Sequence, residues 1–132
     1  MSHENLEIVR EAYGDPAGLS GNVRVHPRAE FDFTDLYPDQ PLLRGVDAMR
    51  RFRDTGPWGR SISFEPERFF EVDEERVLVI ARVTAAGRGS GTPVSTEIAH
   101  EFTLRGGLIV HVKVHRDASA ALGSLGLEGQ AG

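Results

Sequence analysis

Apolar and polar positions alternate most regularly between Thr96 and Val114, where T-E-I-A-H-E-F-T-L-R-G-G-L-I-V-H-V-K-V reads as two strands around a Gly-Gly turn. Ile98, His100, Phe102 and Leu104 share one side of the first strand, and Leu108, Val110, Val112 and Val114 share one side of the second. A loop of Arg105, Gly106 and Gly107, with Gly107 left-handed, sets Leu104 against Leu108, Phe102 against Val110 and His100 against Val112. On the other face it sets Glu101 against His111 and Glu97 against His115. A two-residue Gly-Gly loop moves the register by one and opposes apolar to polar side chains, so the pattern predicts the longer loop. Two more alternating stretches, Ser61 to Val72 and Arg76 to Ala86, extend the sheet through the turn Asp73-Glu-Glu and the Gly-rich loop from Gly87 to Pro93.

Upstream the period changes. Leu6, Val9 and Tyr13 form a helical stripe widened by Ile8 and Ala12, which predicts a helix over Asn5 to Tyr13 stopped by Gly14-Asp-Pro. The weaker spacing of Ala17, Leu19, Val23 and Val25 predicts a short, imperfect helix between Asp15 and Val25. Phe31 and Phe33 alternate with Glu30, Asp32 and Thr34, giving a strand over Ala29 to Thr34, and Pro38 and Pro41 make Asp35 to Leu43 a loop. Val46, Met49 and Phe52 line one face of a helix over Gly45 to Asp54. Asp117 caps a last turn, Ala118 to Leu122, after which the Gly-rich tail is expected to fray. Helices and strands are segregated, so the class is α+β with helices against one face of the sheet.

Composition narrows the partners. The 132 residues suit one domain over 1–132, with a core at about 4–122. Fifteen Lys and Arg scattered among twenty acids leave a net charge of −5, which argues against nucleic acid and against an anionic membrane. The lack of cysteine removes disulfide and thiolate chemistry. With neither a signal peptide nor an apolar run of membrane-spanning length, a cytoplasmic location is the expectation.

His100 is the anomaly, a titratable ring in an aliphatic and aromatic row. Either it is a core histidine held by a tyrosine, carboxylate or carbonyl, or it faces a pocket and donates to a ligand oxygen. Asp32 lies opposite Phe31 and Phe33; if those rings face outward, Asp32 faces the interior, where desolvation raises its pKa toward that of a useful base. Asp35 fits a turn, and Trp58 in Thr55-Gly-Pro-Trp-Gly fits either a lid over a pocket or a core plug. His111, His115, Glu97 and Glu101 read as cross-strand Glu–His pairs, so no metal is expected. Gly87-Arg-Gly-Ser-Gly lacks the lysine and following helix of a nucleotide loop, so no cofactor is expected either.

The order of several short motifs resembles the SnoaL-like, or polyketide cyclase-like, branch of the nuclear transport factor two-like superfamily, to which ketosteroid isomerases and limonene epoxide hydrolases also belong. Its carriers are E-I-V-R-E-A-Y at Glu7 to Tyr13, H-P-R-A-E-F at His26 to Phe31, R-G-V-D-A-M-R-R-F at Arg44 to Phe52 and F-E-P-E-R-F-F at Phe64 to Phe70. A-H-E-F-T-L-R-G-G-L-I-V at Ala99 to Val110 and D-A-S-A-A-L-G-S-L-G-L at Asp117 to Leu127 complete it. The resemblance implies a strongly curved, mostly antiparallel sheet wrapped against helices into a cone, with an apolar pocket at its open end. It also implies a homodimer through the outer sheet face. By position, His100 matches the oxyanion-hole aspartate of the isomerases and Tyr13 the tyrosine that shares that role, while Asp32 and Asp35 compete for the base. The aspartate base of the cyclases falls on Val114, which argues against the cyclase reaction.

The expected ligand is a small apolar molecule contacted by Trp58, Phe102 and Val112, and no cofactor takes part. As an enzyme, the chain would use Asp32 or Asp35 as base and His100 with Tyr13 as donors to a carbonyl, enol or epoxide oxygen. The alternatives are a binding-only protein using the same pocket and an interaction module using the outer sheet.

Overall fold

A computed structural model describes residues 2–14, 24–35, 39, 42–55, 63–86 and 93–127. Helix α1 (Ser2–Gly14) leads into β1 (Val25–Asp32), the two-residue β2 (Leu43–Arg44) and α2 (Val46–Thr55). Four strands follow, β3 (Ser63–Glu71), β4 (Arg76–Ala86), β5 (Pro93–Arg105) and β6 (Leu108–His115), and then α3 (Ala118–Ser124). The short helix expected between Asp15 and Val25 lies, up to residue 23, outside the described residues. Among the described residues no helix is long and apolar enough to cross a membrane.

The sheet runs β2-β1-β6-β5-β4-β3. All its pairs are antiparallel except β1 with β6. Register assigns the faces, because directly paired residues point the same way. One row, Glu71, Val77, Phe102, Val112 and Phe31, crosses five strands on the concave side. The next concave row is Phe69, Val79, His100 and Val114. Ile8, Val9 and Ala12 of α1 are buried with these rows, and Val46, Met49 and Phe52 of α2 pack against them, so the two helices cover the concave face of a cone. Phe33 stacks on Phe52 with ring centroids 5.1 Å apart, which ties α2 to the end of β1.

The hairpin departs from the sequence pattern. Arg105 pairs with Leu108, so the loop is the two residues Gly106 and Gly107 and not three. Their φ angles of 59° and 79° suit the primed turn whose twist matches a hairpin, a conformation that a Cβ would strain at both positions. The mismatch that argued against this turn is absorbed one step on: Leu104 pairs with Ile109 and Thr103 with His111, so Val110 is an extra, bulged residue. Ile109 thereby takes the buried place opposite Leu104 expected for Leu108, Val112 the one opposite Phe102 expected for Val110, and His100 meets Val114 rather than Val112.

Part of the outer face is also covered, contrary to the expectation of helices on one face only. Ala118, Ala121 and Leu127 are buried with Phe70, Leu78, Ile80 and Ala99 on the convex side of β3, β4 and β5. The Asp117 carboxylate accepts from the Ala120 N–H at 3.1 Å, as the cap requires. The far end closes where fraying was expected: Leu127 N–H donates to Leu122 O at 2.8 Å and Gly126 N–H to Gly123 O at 3.2 Å, with Gly126 at φ 73°. This pair of bonds is a Schellman motif, and it turns Leu127 back onto the sheet. A helix this short has little stability of its own, so docking holds it. Leu127→Ala is therefore expected to cost about 2 kcal/mol or more in a urea titration, whereas a frayed tail would leave the midpoint unmoved.

Candidate functional site

Tyr13 and His100, 87 positions apart in sequence, meet on the concave side, where Tyr13 Oη lies 2.5 Å from His100 Nδ1. Helix α1 supplies the tyrosine from its last turn, at the end of the stripe that buries Val9. Strand β5 supplies the histidine between Ile98 and Phe102, both 1% exposed. His100 itself is 5% exposed. Burial lowers its pKa to about 4, with the charge of His115 a smaller cause, and burial pushes the Tyr13 phenol well above its ordinary range. At neutral pH both groups are thus uncharged.

A neutral imidazole has one donor and one acceptor nitrogen. If the Tyr13 hydroxyl donates to Nδ1, the ring keeps an Nε2–H; if Nδ1–H donates to Tyr13, the hydroxyl proton is left over. Either arrangement leaves one N–H or O–H to offer to a ligand oxygen without placing a charge in the core.

The surroundings are aromatic. Phe102 stands edge-on to both rings, at 5.9 Å from Tyr13 and 6.0 Å from His100, and Phe69 stands edge-on to Tyr13 at 6.2 Å. Phe64 approaches the His100 ring at 5.1 Å, yet it is 40% exposed, the only large hydrophobic residue so exposed among the described residues. Register places Phe64 with Val83 and Thr96 on the concave face, so this face opens to solvent beside His100. Sequence reading missed Phe64 and Phe69. Five positions apart, they fall on opposite faces of a regular strand, and only the register shift between Pro66 and Arg68 brings both inside.

The predicted carboxylates are not brought to this pair. Phe31 and Phe33 face the core, at 0% and 9% exposure, so Asp32 faces outward in a convex row with Lys113, Glu101, Leu78 and Phe70. The Thr34 hydroxyl and N–H donate to Asp32 Oδ1 at 2.6 and 2.9 Å and lower its pKa, opposite to the rise that an interior base needs. Asp35 is exposed in the turn after β1 and ties that turn to the end of β6: its carboxylate accepts from Arg116 N–H at 2.7 Å, and its carbonyl accepts from the Arg116 guanidinium at 3.0 Å. Phe102 and Val112 are both 1% exposed, so they support the pair from within the core. Trp58 lies outside the described residues.

The expected Glu–His rungs are rearranged. Glu97 pairs in register with Arg82, and Glu101 with Lys113, while the Glu101 carboxylate bonds diagonally to His115 Nε2 at 2.9 Å and to Arg76 at 3.2 Å. The His115 bond, followed by that from Arg76, lowers the Glu101 pKa.

An open, six-stranded mixed sheet wrapped with helices into an α+β cone is the fold shared with nuclear transport factor two-like structures. The model of the SnoaL-like domain matches residues 14–112, and the chain belongs to this family. No curated protein matches the sequence. Among solved structures, Bal32a from a soil-derived mobile gene cassette is 21% identical with a TM-score of 0.71, covering 91% of this chain and 95% of its own. A nuclear transport factor two-like protein of unknown function from Burkholderia pseudomallei K96243 is 20% identical with a TM-score of 0.69, covering 90% and 95%. TerC, co-crystallised with polyporic acid, is 19% identical with a TM-score of 0.69, covering 92% and 97%. At these identities the likeness is one of fold.

Proposed function

We propose that the chain binds a small, largely apolar molecule on its concave face, and that Tyr13 and His100 hold a carbonyl, enol or phenolic oxygen of that molecule. The observation that carries this reading is the neutral Tyr13–His100 pair set among aromatic rings beside a half-exposed Phe64. Pockets for small molecules combine apolar walls with a few convergent polar groups, and that is the composition here. The crystal structure of TerC with polyporic acid supports a small organic ligand for this fold.

The pair can polarise an oxygen and stabilise negative charge developing on it, which is half of a cofactor-free acid–base site. The other half is a base, and Asp32 and Asp35 do not supply it from where they stand. The geometry therefore favours binding with polarisation over isomerase, cyclase or epoxide hydrolase turnover using either aspartate.

A suitable probe is 2-naphthol, whose ring suits the aromatic wall and whose oxygen reports hydrogen bonding through its absorption and fluorescence. Tyr13→Phe is expected to weaken its binding about tenfold, the worth of one buried hydrogen bond. Asp32→Asn should leave the affinity unchanged. Equal affinity in the wild type and the Tyr13→Phe variant would sink the reading.

A further inference from the structure

On the convex side, away from the Tyr13–His100 pair, two interruptions of the sheet lie next to each other. Between Val25 and Glu30 strand β1 advances five positions while β6 advances only from Ile109 to His111, so His26, Pro27, Arg28 and Ala29 loop out of the ladder. The Val110 bulge interrupts β6 at the same level. Each irregularity leaves backbone groups out of regular pairing, and bulges are retained where they re-aim side chains. Together they open a groove of ≈ 400 Å³ on a surface that a regular sheet would leave flat.

The groove is cationic although the chain carries a net charge of −5. His26 and Arg28 line it from β1, Val110 and His111 from β6 in the middle, and Thr103 and Arg105 from β5. The His26 ring is oriented by the Arg28 N–H, which donates to its Nδ1 at 3.0 Å and leaves Nε2 the free edge. Glu30, the single acid of the lining, is paired with Arg44 at 3.8 Å. Arg105 is held only by Glu75 at 3.7 Å, and Arg28 has no carboxylate within ion-pair distance among the described residues.

We infer that this groove is a binding site for a small oxyanion, a phosphate or carboxylate group, held between the guanidinium groups of Arg28 and Arg105 and bonded by Thr103 and the two imidazoles. Guanidinium groups match the oxygen spacing of such anions, and an arginine without its own carboxylate is the one available to a ligand. The site shares no residue with the concave-face pair, so it stands or falls independently of the function proposed there.

The test is a titration with inorganic phosphate at constant ionic strength, followed by two-dimensional amide NMR, and repeated with succinate to separate a tetrahedral from a planar preference. Saturable shifts centred on Thr103, Val110 and His111 are expected, with at least tenfold weaker binding in the Arg28→Ala/Arg105→Ala variant. Both side chains are exposed, so that variant should keep the fold. An Arg50→Ala control on α2 should bind as the wild type does. Non-saturating shifts spread over all surface arginines, or undiminished affinity in the double variant, would overturn the inference and leave a solvated basic face.

Discussion

Between pH 6.5 and pH 4 the protein is expected to lose about 3 kcal/mol of folding stability through His100 alone. In the folded chain burial keeps the imidazole neutral down to about 4, while in the unfolded chain it takes a proton near 6.5. Across that window the unfolded state binds the extra proton, so stability falls as the pH falls. Glu101 acts lower down. Its folded pKa is depressed, so its contribution is present above the ordinary carboxylate value of 4.5 and is lost as the pH drops through the folded value.

The variant that isolates His100 is Tyr13→Phe/His100→Leu, because removing both partners leaves no buried orphan. At pH 7 it should be within about 1 kcal/mol of the wild type, or above it, although the donor of the proposed site is gone. Urea unfolding at pH 7, 5.5 and 4.5 should show the wild type losing stability steeply and the double variant much less. Parallel pH profiles would mean that His100 accepts its proton inside the folded chain, and the neutral pair would have to be abandoned.

A second large effect is expected from Phe102→Ala, which should cost about 3–5 kcal/mol. Phe102 is 1% exposed, belongs to the row that crosses five strands and stands edge-on to both Tyr13 and His100. Against a typical total of about 5–15 kcal/mol this leaves a marginal protein. The truncation leaves an apolar space beside the polar pair, and such spaces stay dry and accept small aromatics. Benzene at saturation should therefore raise the melting temperature of Phe102→Ala and leave that of the wild type unchanged. A variant that melts within a few degrees of the wild type would show that the surrounding core collapses into the gap.

How much of this was legible depended on whether a signal was local. The bounds of β4 matched because eleven residues from Arg76 to Ala86 are flanked by clear turns. The hairpin turn misled because Leu108, Ile109 and Val110 are all apolar, so alternation alone could not show which of them steps out of register. That run was the available warning of a bulge. Asp32 was open to misplacement because β1 alternates cleanly, and the direction of Phe31 and Phe33 is set by α2 and β6, not by β1 itself. Tyr13 and His100 could be named from their patterns and from family resemblance, but their meeting depends on how α1 crosses the sheet. The oxyanion groove was invisible, since it needs two irregularities on strands whose pairing has no local signature.

That pairing also fixes an order of events during synthesis. β1 hydrogen-bonds to β2 and to β6, and β6 begins at Leu108, more than seventy residues after β1 ends. While the intervening chain emerges, at about 5–20 residues per second, Phe31 and Phe33 have no sheet to enter beyond the two residues of β2. The inner wall of the cone is thus expected to assemble from its far side, β3 to β5 first, with the parallel strand fitted last. For several seconds per molecule the nascent chain is therefore expected to carry Phe31 and Phe33 uncovered, an exposure set by topology and not by composition.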